Sequence, residues 1–334
     1  MTPSPHPQDA LFDPGEPAAT ALPVCDHYAG VEVRMRKSLE LQSELGPVFD
    51  VTLDAEDGAP VGGEMDHVEL MVELINGPTN RYGRVGARVK PVDHPLFADL
   101  VDLIVKKAGS RLPYLMIPKV RGVADVDRAA AAVDHACQRH GIDRVIPLHT
   151  LAETHGALRQ IDAIAAHARV QSISFGLMDF VSAHRGAIPQ SAMSVHGQFE
   201  HPLVVRAKLD IAAACHAHGK TPSHCVVTEF KDKNALAAAA RKAARELGYT
   251  RMWSIHPDQI RTVLEAFAPG ADEIDTASAI IVAAARANWA PISHAGKLED
   301  RASYRYFWQV LERAHQTGRA LPGEVRGWFQ ETAA

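Results

Sequence analysis

Eight apolar runs of strand length recur along this chain: LPVCDHYAG (22–30), VFDVTLDAED (48–57), VGARVK (85–90), YLMIPKV (114–120), RVIPLHT (144–150), VQSISFG (170–176), SHCVVTEF (223–230) and RMWSIHP (251–257). Most are separated by stretches of helical period, among them VRMRKSLELQSEL, PLFADLVDLIVKKA, VADVDRAAAAVDHACQRH, VRAKLDIAAACHAHG and DKNALAAAARKAARELG. A short, unbroken apolar run next to a helix reads as a parallel strand buried on both faces. Eight such βα repeats in about 240 residues is the arithmetic of a TIM (β/α)8 barrel. An open doubly wound sheet would usually declare a glycine-rich first turn, and none is present. The expected fold is therefore an α/β TIM barrel over residues 21–270 with a C-terminal helical extension over 271–334.

The extension carries two helical patterns, EIDTASAIIVAAARANW and ASYRYFWQVLERAHQ, joined by the polar loop APISHAGKLED. It is expected to cap the barrel or to reach a neighbouring subunit. Residues 1–20 contain Pro3, Pro5, Pro7, Pro14 and Pro17, a density that reads as an N-terminal arm without regular structure. A net charge of −5 and pI near 6.4 argue against a nucleic-acid surface. No window holds about 18 continuous apolar residues and no basic, apolar leader opens the chain, so the expectation is a cytoplasmic protein without a membrane partner. Cys25, Cys137, Cys215 and Cys225 lack disulfide or metal spacing and read as reduced, mostly buried thiols.

Chemistry concentrates at the ends of the runs, where the active face of a barrel lies. The second run ends in Asp54, Glu56 and Asp57; the third carries Arg88; the fourth ends in Lys119; Glu153 and Asp179 follow the fifth and sixth. Between those two acids GALRQIDAIAAHA has helical spacing, so Glu153 and Asp179 are expected to end successive strands of one strand–helix–strand unit. Adjacent parallel strands lie roughly 5 Å apart, close enough for both carboxylates to reach one ion. Oxygen ligands with water completing the shell suit Mg²⁺, or Mn²⁺, better than Zn²⁺. The same spacing also fits helix N-caps or surface charges. His216, His218 and His224-Cys225 lack a zinc spacing, and His256 reads as rim packing before a helix that starts at Pro257. Lys119 reads as an electrostatic group ahead of a Schiff-base nucleophile.

DVTLDAEDG, Arg88 in GARVK, Pro118-Lys119 in MIPK, Glu153-Thr154 in LAETHGAL, Gly176 and Asp179 in FGLMDF, SIHPDQI and the closing GKLED occur in an order that resembles the citrate lyase β-subunit-like branch of the HpcH/HpaI aldolase family. The resemblance spans about residues 30–315. It implies a TIM barrel, Mg²⁺-dependent carbon–carbon bond cleavage or formation, and a CoA thioester such as malyl-CoA or citramalyl-CoA. It further implies that Glu153 and Asp179 ligate the metal, that Arg88 and Gly176 bind substrate, and that Asp54, Glu56, Asp57 and Lys119 surround them. Arg88 suits a carboxylate because its planar fork donates two parallel hydrogen bonds; a salt bridge to Asp54 or Glu56 is its bland alternative. Asp300 resembles the aspartate that neighbouring subunits of the family lend as an acid/base, which implies a homo-oligomer built on trimers, as a homotrimer or hexamer. The match is incomplete there, since Leu298 and Glu299 depart from the family's turn. The first strand keeps only Arg34-Met35 of the family's pattern, and Lys90 replaces a usual asparagine.

The implied reaction is a retro-aldol step that releases a 2-oxo acid and an enolate, with cationic groups stabilising the enolate and Asp300 exchanging the proton. Two other functions fit the same pattern: an aldolase acting on free 2-oxo acids without CoA, and a non-catalytic or complex-dependent citrate lyase β-like subunit.

Overall fold

The computed structural model describes residues 5–13, 16 and 22–329. The chain divides into two compact units, one of residues 19–267 and one of residues 1–18 with 268–334. In the first unit, β1 (Cys25–Ala29), β2 (Asp50–Asp54), β3 (Val85–Arg88), β4 (Leu115–Ile117), β5 (Leu148–Ala152), β6 (Val170–Phe175), β7 (Thr221–His224) and β8 (Arg251–Ser254) form a closed parallel barrel in chain order. Outside it run α2 (Glu32–Leu45), α3 (Glu64–Asn76), α4 (Phe97–Ala108), α5 (Val123–His140), α6 (His155–Arg159), α7 (Ile161–Ala166), α8 (Leu177–Ser182), α9 (Pro202–Ala217), α10 (Lys233–Arg245) and α11 (Pro257–Phe267). The fold is a TIM barrel.

Local sequence sets the helix limits. In α4, Phe97, Leu100, Val101, Ile104, Val105 and Ala108 are buried, the one-faced apolar spacing of a helix lying on a sheet. Asp232 caps α10 by accepting from Ala235 N at 2.9 Å, and α5 stops at Gly141 in the left-handed conformation, φ 67°. Four departures from the sequence reading have physical causes. Helix α3 follows a glycine-rich loop and opens without a side-chain cap, so nothing marks its start. Strand β5 begins at Leu148 rather than Arg144, because Pro147 has no N–H for the ladder and Val145 is 67 % exposed. Strand β7 ends at His224, and VVTEF runs on as loop. The helix expected between Glu153 and Asp179 breaks at Gln160 into α6 and α7.

The second unit contains α1 (Pro7–Leu11), α12 (Ala271–Arg286), β9 (Ile292–His294), β10 (Lys297–Glu299), α13 (Arg301–Gln316) and α14 (Gly323–Arg326). The stretch expected as a polar loop is an antiparallel hairpin, turned by Ala295 and Gly296 at φ 48° and 77°. The proline-rich arm is not devoid of structure: Pro7 takes the first helical position of α1, where a missing N–H costs nothing. Leu11 is buried with Ile274, Tyr304 and Trp308, and Trp308 Nε1 donates to Gln8 Oε1 at 3.0 Å. Pro3, Pro14 and Pro17 lie outside the described residues. Among the described residues no helix is long and apolar enough to cross a membrane, and all four cysteines are buried free thiols.

Inward-facing residues come every second position along a strand, and they stack in layers. Asp26, Asp50, Thr52, Tyr114, His149 and Arg251 form a polar layer, each at most 1 % exposed. Gly86 belongs here because a Cβ would lie 2.3 Å from the Tyr114 ring. Two residues on come Tyr28, Met116, Leu151 and Trp253, which pack together. Beyond this floor, at the C-terminal mouth, stand Asp54, Arg88 and Glu153.

Candidate active site

Register builds the mouth. Asp54 and Arg88 are paired residues on β2 and β3, so their side chains meet at once. Arg88 Nε donates to Asp54 Oδ1 at 2.6 Å and Nη2 to Oδ2 at 2.5 Å. The same carboxylate accepts from Glu56 N and Gly58 N, each at 2.8 Å, which uses all its lone-pair directions. Asp54 was expected to surround the ion through water and to hold Arg88 in place; its carboxylate pairs with Arg88 and also fixes the β2–α3 loop. Gly58 is required at this loop, since a Cβ would fall 2.3 Å from Asp54 Oδ2. With one fork of the guanidinium taken, Nη1 lies 3.4 Å from Glu56 Oε2 and the Nη1–Nη2 edge keeps unused protons.

Glu153 follows β5 directly and Gly176 follows β6, where Ala152 pairs with Phe175. The Glu153 carboxylate lies against Gly176, and a Cβ there would be 2.1 Å from Oε2. Thr154 locks the turn: it caps α6 by accepting from Ala157 N at 3.0 Å and donates to Val120 O at 2.8 Å. Glu153 Oε1 accepts from Lys119 N at 2.7 Å. Lys119 is itself left-handed, φ 53°, a conformation that costs a non-glycine residue about 1–2 kcal/mol and that aims its N–H and its side chain at different acids. Lys119 Nζ is 2.6 Å from Glu56 Oε1, 2.9 Å from Asp57 Oδ2 and 3.7 Å from Asp179 Oδ1. Asp179 does not end a strand as expected; it stands in the first turn of α8, three residues beyond Gly176.

Five carboxylates thus face two cations. Burial, and then the neighbouring Asp179, pushes the Glu153 carboxyl up to about 8. Burial also holds Glu56 above the usual carboxylate range despite Arg88 and Lys119. For Asp57 burial opposes ionisation, but hydrogen bonds with Lys119 and Glu56 prevail and hold it low. Burial works against the charge on Arg88 and Lys119, yet their carboxylate partners keep both firmly protonated.

The barrel brings together Asp54, Glu56, Asp57, Arg88, Lys119, Glu153, Gly176 and Asp179. Asp300 belongs to the other unit, where it caps α13 by accepting from Ala302 N at 3.0 Å. The remaining histidines are engaged elsewhere: His216 with Gly248 O at 2.7 Å, His218 with Asp162 at 2.9 Å, and His256 in a 4.8 Å stack on Phe230. Sequence reasoning missed Tyr28 and Trp253, because an aromatic inside an apolar run carries the same signal as core.

A family model described as HpcH/HpaI aldolase/citrate lyase matches residues 51–257. The chain belongs to this family. A solved citrate lyase from Burkholderia xenovorans LB400 is 50 % identical, superposes with a TM-score of 0.84 and covers 98 % of this chain and 100 % of its own. The L-malyl-CoA/β-methylmalyl-CoA lyase of Cereibacter sphaeroides is 28 % identical over 278 residues, 79 % of this chain and 86 % of that protein. The protein CitE of Mycobacterium tuberculosis, solved with magnesium, acetoacetate and coenzyme A, shares the fold of this family member at a TM-score of 0.68 and 19 % identity, over 88 % of this chain and 99 % of that one.

Proposed function

We propose that the chain is a Mg²⁺-dependent carbon–carbon lyase that cleaves or forms a β-hydroxyacyl-CoA of the malyl-CoA or citramalyl-CoA type, with a 2-oxo acid as the second product or substrate. The observation that carries the reading is the pairing of a fixed guanidinium, Arg88, with an acid-rich mouth that its own cations do not neutralise. Family membership supports the bond class, and the malyl-CoA lyase relative supports the thioester.

Glu153 and Asp179 would hold the ion. Their oxygens are the hard donors Mg²⁺ prefers, and a buried Glu153 held largely protonated by burial and a like charge is a carboxylate lacking a cation. Among the described residues no three His, Cys, Asp or Glu side chains cage a metal by themselves, so water and substrate oxygens would complete the shell. Mg²⁺ supplies Lewis-acid stabilisation of developing negative oxygen charge. The chain's own residues orient the reaction: the free edge of Arg88 takes the carboxylate of the oxo acid, Asp54 fixes that edge, and Lys119 pairs with Glu56 and Asp57 at the rim. In this reading residues 271–334 form the extension that brings Asp300 from a neighbouring subunit, in an oligomer built on trimers, to exchange the proton with the enolate carbon.

The test is incubation of purified protein with malyl-CoA and citramalyl-CoA, with Mg²⁺ or with EDTA, while 2-oxo acid release is followed. Mg²⁺-dependent release is the expected result; silence on both thioesters refutes the reading.

A further inference from the structure

Arg88 is held by groups from two different strands. Asp54 on β2 holds its Nε–Nη2 edge, and its guanidinium carbon lies over the ring of Tyr28 on β1, 5.3 Å from the centroid. Tyr28 in turn lies on Trp253 of β8, centroids 4.3 Å apart and planes at 27°. Both aromatics are nearly buried, at 7 % and 9 % exposure, and both belong to the apolar floor with Met116 and Leu151. Tyr28 Oη and Trp253 Nε1 are buried without a hydrogen-bond partner among the described residues. A buried hydroxyl without a partner is unfavourable, so the side chain's contribution here is its ring. A ring face attracts a cation electrostatically, and more strongly when both are removed from water.

We propose that Tyr28, backed by Trp253, is a positioning residue that fixes the plane of Arg88, so that the Nη1–Nη2 edge left free by Asp54 faces the carboxylate of the oxo acid. Asp54 alone leaves the guanidinium able to tilt about the shared edge; the ring beneath removes that freedom. The geometry also gives a use to the first strand, the part of the chain that departs most from the family's sequence pattern. The inference rests on the reading that Arg88 takes the substrate carboxylate, and the experiment separates the two.

Purified wild-type protein and the variants Tyr28→Phe, Tyr28→Leu, Tyr28→Met and Arg88→Gln are titrated calorimetrically with pyruvate in the presence of Mg²⁺, and the thermal midpoint of each is recorded. Tyr28→Phe keeps the ring and removes the idle hydroxyl, so wild-type affinity and an equal or higher midpoint are expected. Tyr28→Leu and Tyr28→Met keep apolar volume and lose the ring; each is expected to weaken pyruvate roughly five- to tenfold, between the exposed and the desolvated ends of the cation–π range. Affinity in Tyr28→Phe as low as in the ring-less variants overturns the proposal, because the hydroxyl would then be the working group. Wild-type affinity in a folded ring-less variant overturns it equally. If the wild type fails to bind pyruvate, or Arg88→Gln binds it unchanged, the assignment of Arg88 itself falls and takes the platform with it.

Discussion

The barrel interior holds two charged layers, and they obey opposite rules. In the lower one Arg251 Nη1 lies 2.6 Å from Asp50 and Nη2 3.1 Å from Asp26. Arg84 adds a contact to Asp50 at 3.4 Å, and Thr52 donates to Asp26 at 2.7 Å. Tyr114 stacks on His149 at 3.8 Å to seal the layer. Acids and bases there answer one another. At the mouth, beyond the apolar floor, acids outnumber bases and Glu153 is forced towards its neutral form. Asp54, Glu56, Arg88 and Glu153 at the mouth are buried as the lower layer is, so burial alone does not separate structure from function. The separating quantity is whether the charges close among themselves or need a cation from outside.

The sharpest way to break that contrast is to neutralise one residue in each layer. Glu153→Gln or Asp179→Asn should abolish Mg²⁺-dependent turnover, a loss larger than the roughly 10–100-fold that removing a metal ligand's outer partner costs, with the fold retained by circular dichroism. Full activity in either variant would remove the site from the mouth. Arg251→Met should do the reverse: stability falls by about 3–5 kcal/mol, as expected when two buried carboxylates lose their partner, and activity falls only with the folded fraction. Urea unfolding alongside turnover distinguishes the two. A stable but inactive Arg251→Met would mean the lower layer takes part in the chemistry.

That contrast was only half legible in the sequence. The eight strands and the residues ending β2, β3 and β5 could be read because a charge terminating an apolar run has few places to go except the mouth. The saturation of Asp54 could not, since two of its four donors are backbone N–H groups at Glu56 and Gly58 and the other two come from Arg88 through the β2–β3 register. Asp179 was seen as a strand end because LMDF is apolar enough to extend the run, whereas Gly176 lets the chain turn directly into α8. Nor did sequence predict that Lys119 would be left-handed: the φ belongs to a loop conformation held by Glu153, Glu56 and Asp57 together. Asp26, Asp50 and Arg251 were not singled out: Arg251 opens its run and Asp50 stands near the start of its own, where a polar residue reads as the strand's edge, and Asp26 lies in the middle of a run without ending it.

A smaller effect is expected from Gly176→Ala. Its Cβ would meet Glu153 Oε2 at 2.1 Å and Glu153 Cβ at 2.6 Å, so rotation of the carboxylate alone does not relieve the clash and the backbone carrying Glu153 or Gly176 must shift with it. Mg²⁺ affinity should drop roughly tenfold or more, read by titrating the metal-dependent activity, with a lowered urea midpoint. A variant with wild-type Mg²⁺ dependence would show that the shifted turn still presents the carboxylate to the ion.

A last effect is in pH dependence. Glu153 titrates near 8 in the fold and in the ordinary carboxylate range, about 4.3, when unfolded. Between those values the native protein binds the extra proton, so stability falls as pH rises. The contribution is fully present below the unfolded value and is lost as pH passes about 8. In EDTA the thermal midpoint of the wild type should therefore decline between pH 5 and 8 by more than that of Glu153→Gln, whose amide does not titrate. Mg²⁺ should reverse the sign of the difference, because an ion that needs the carboxylate ionised gains affinity over the same interval. Asp26 in the lower layer, which burial also holds above the usual carboxylate range, is common to both proteins and cancels in the difference, so parallel profiles for the two, with and without Mg²⁺, would show that Glu153 does not carry the response.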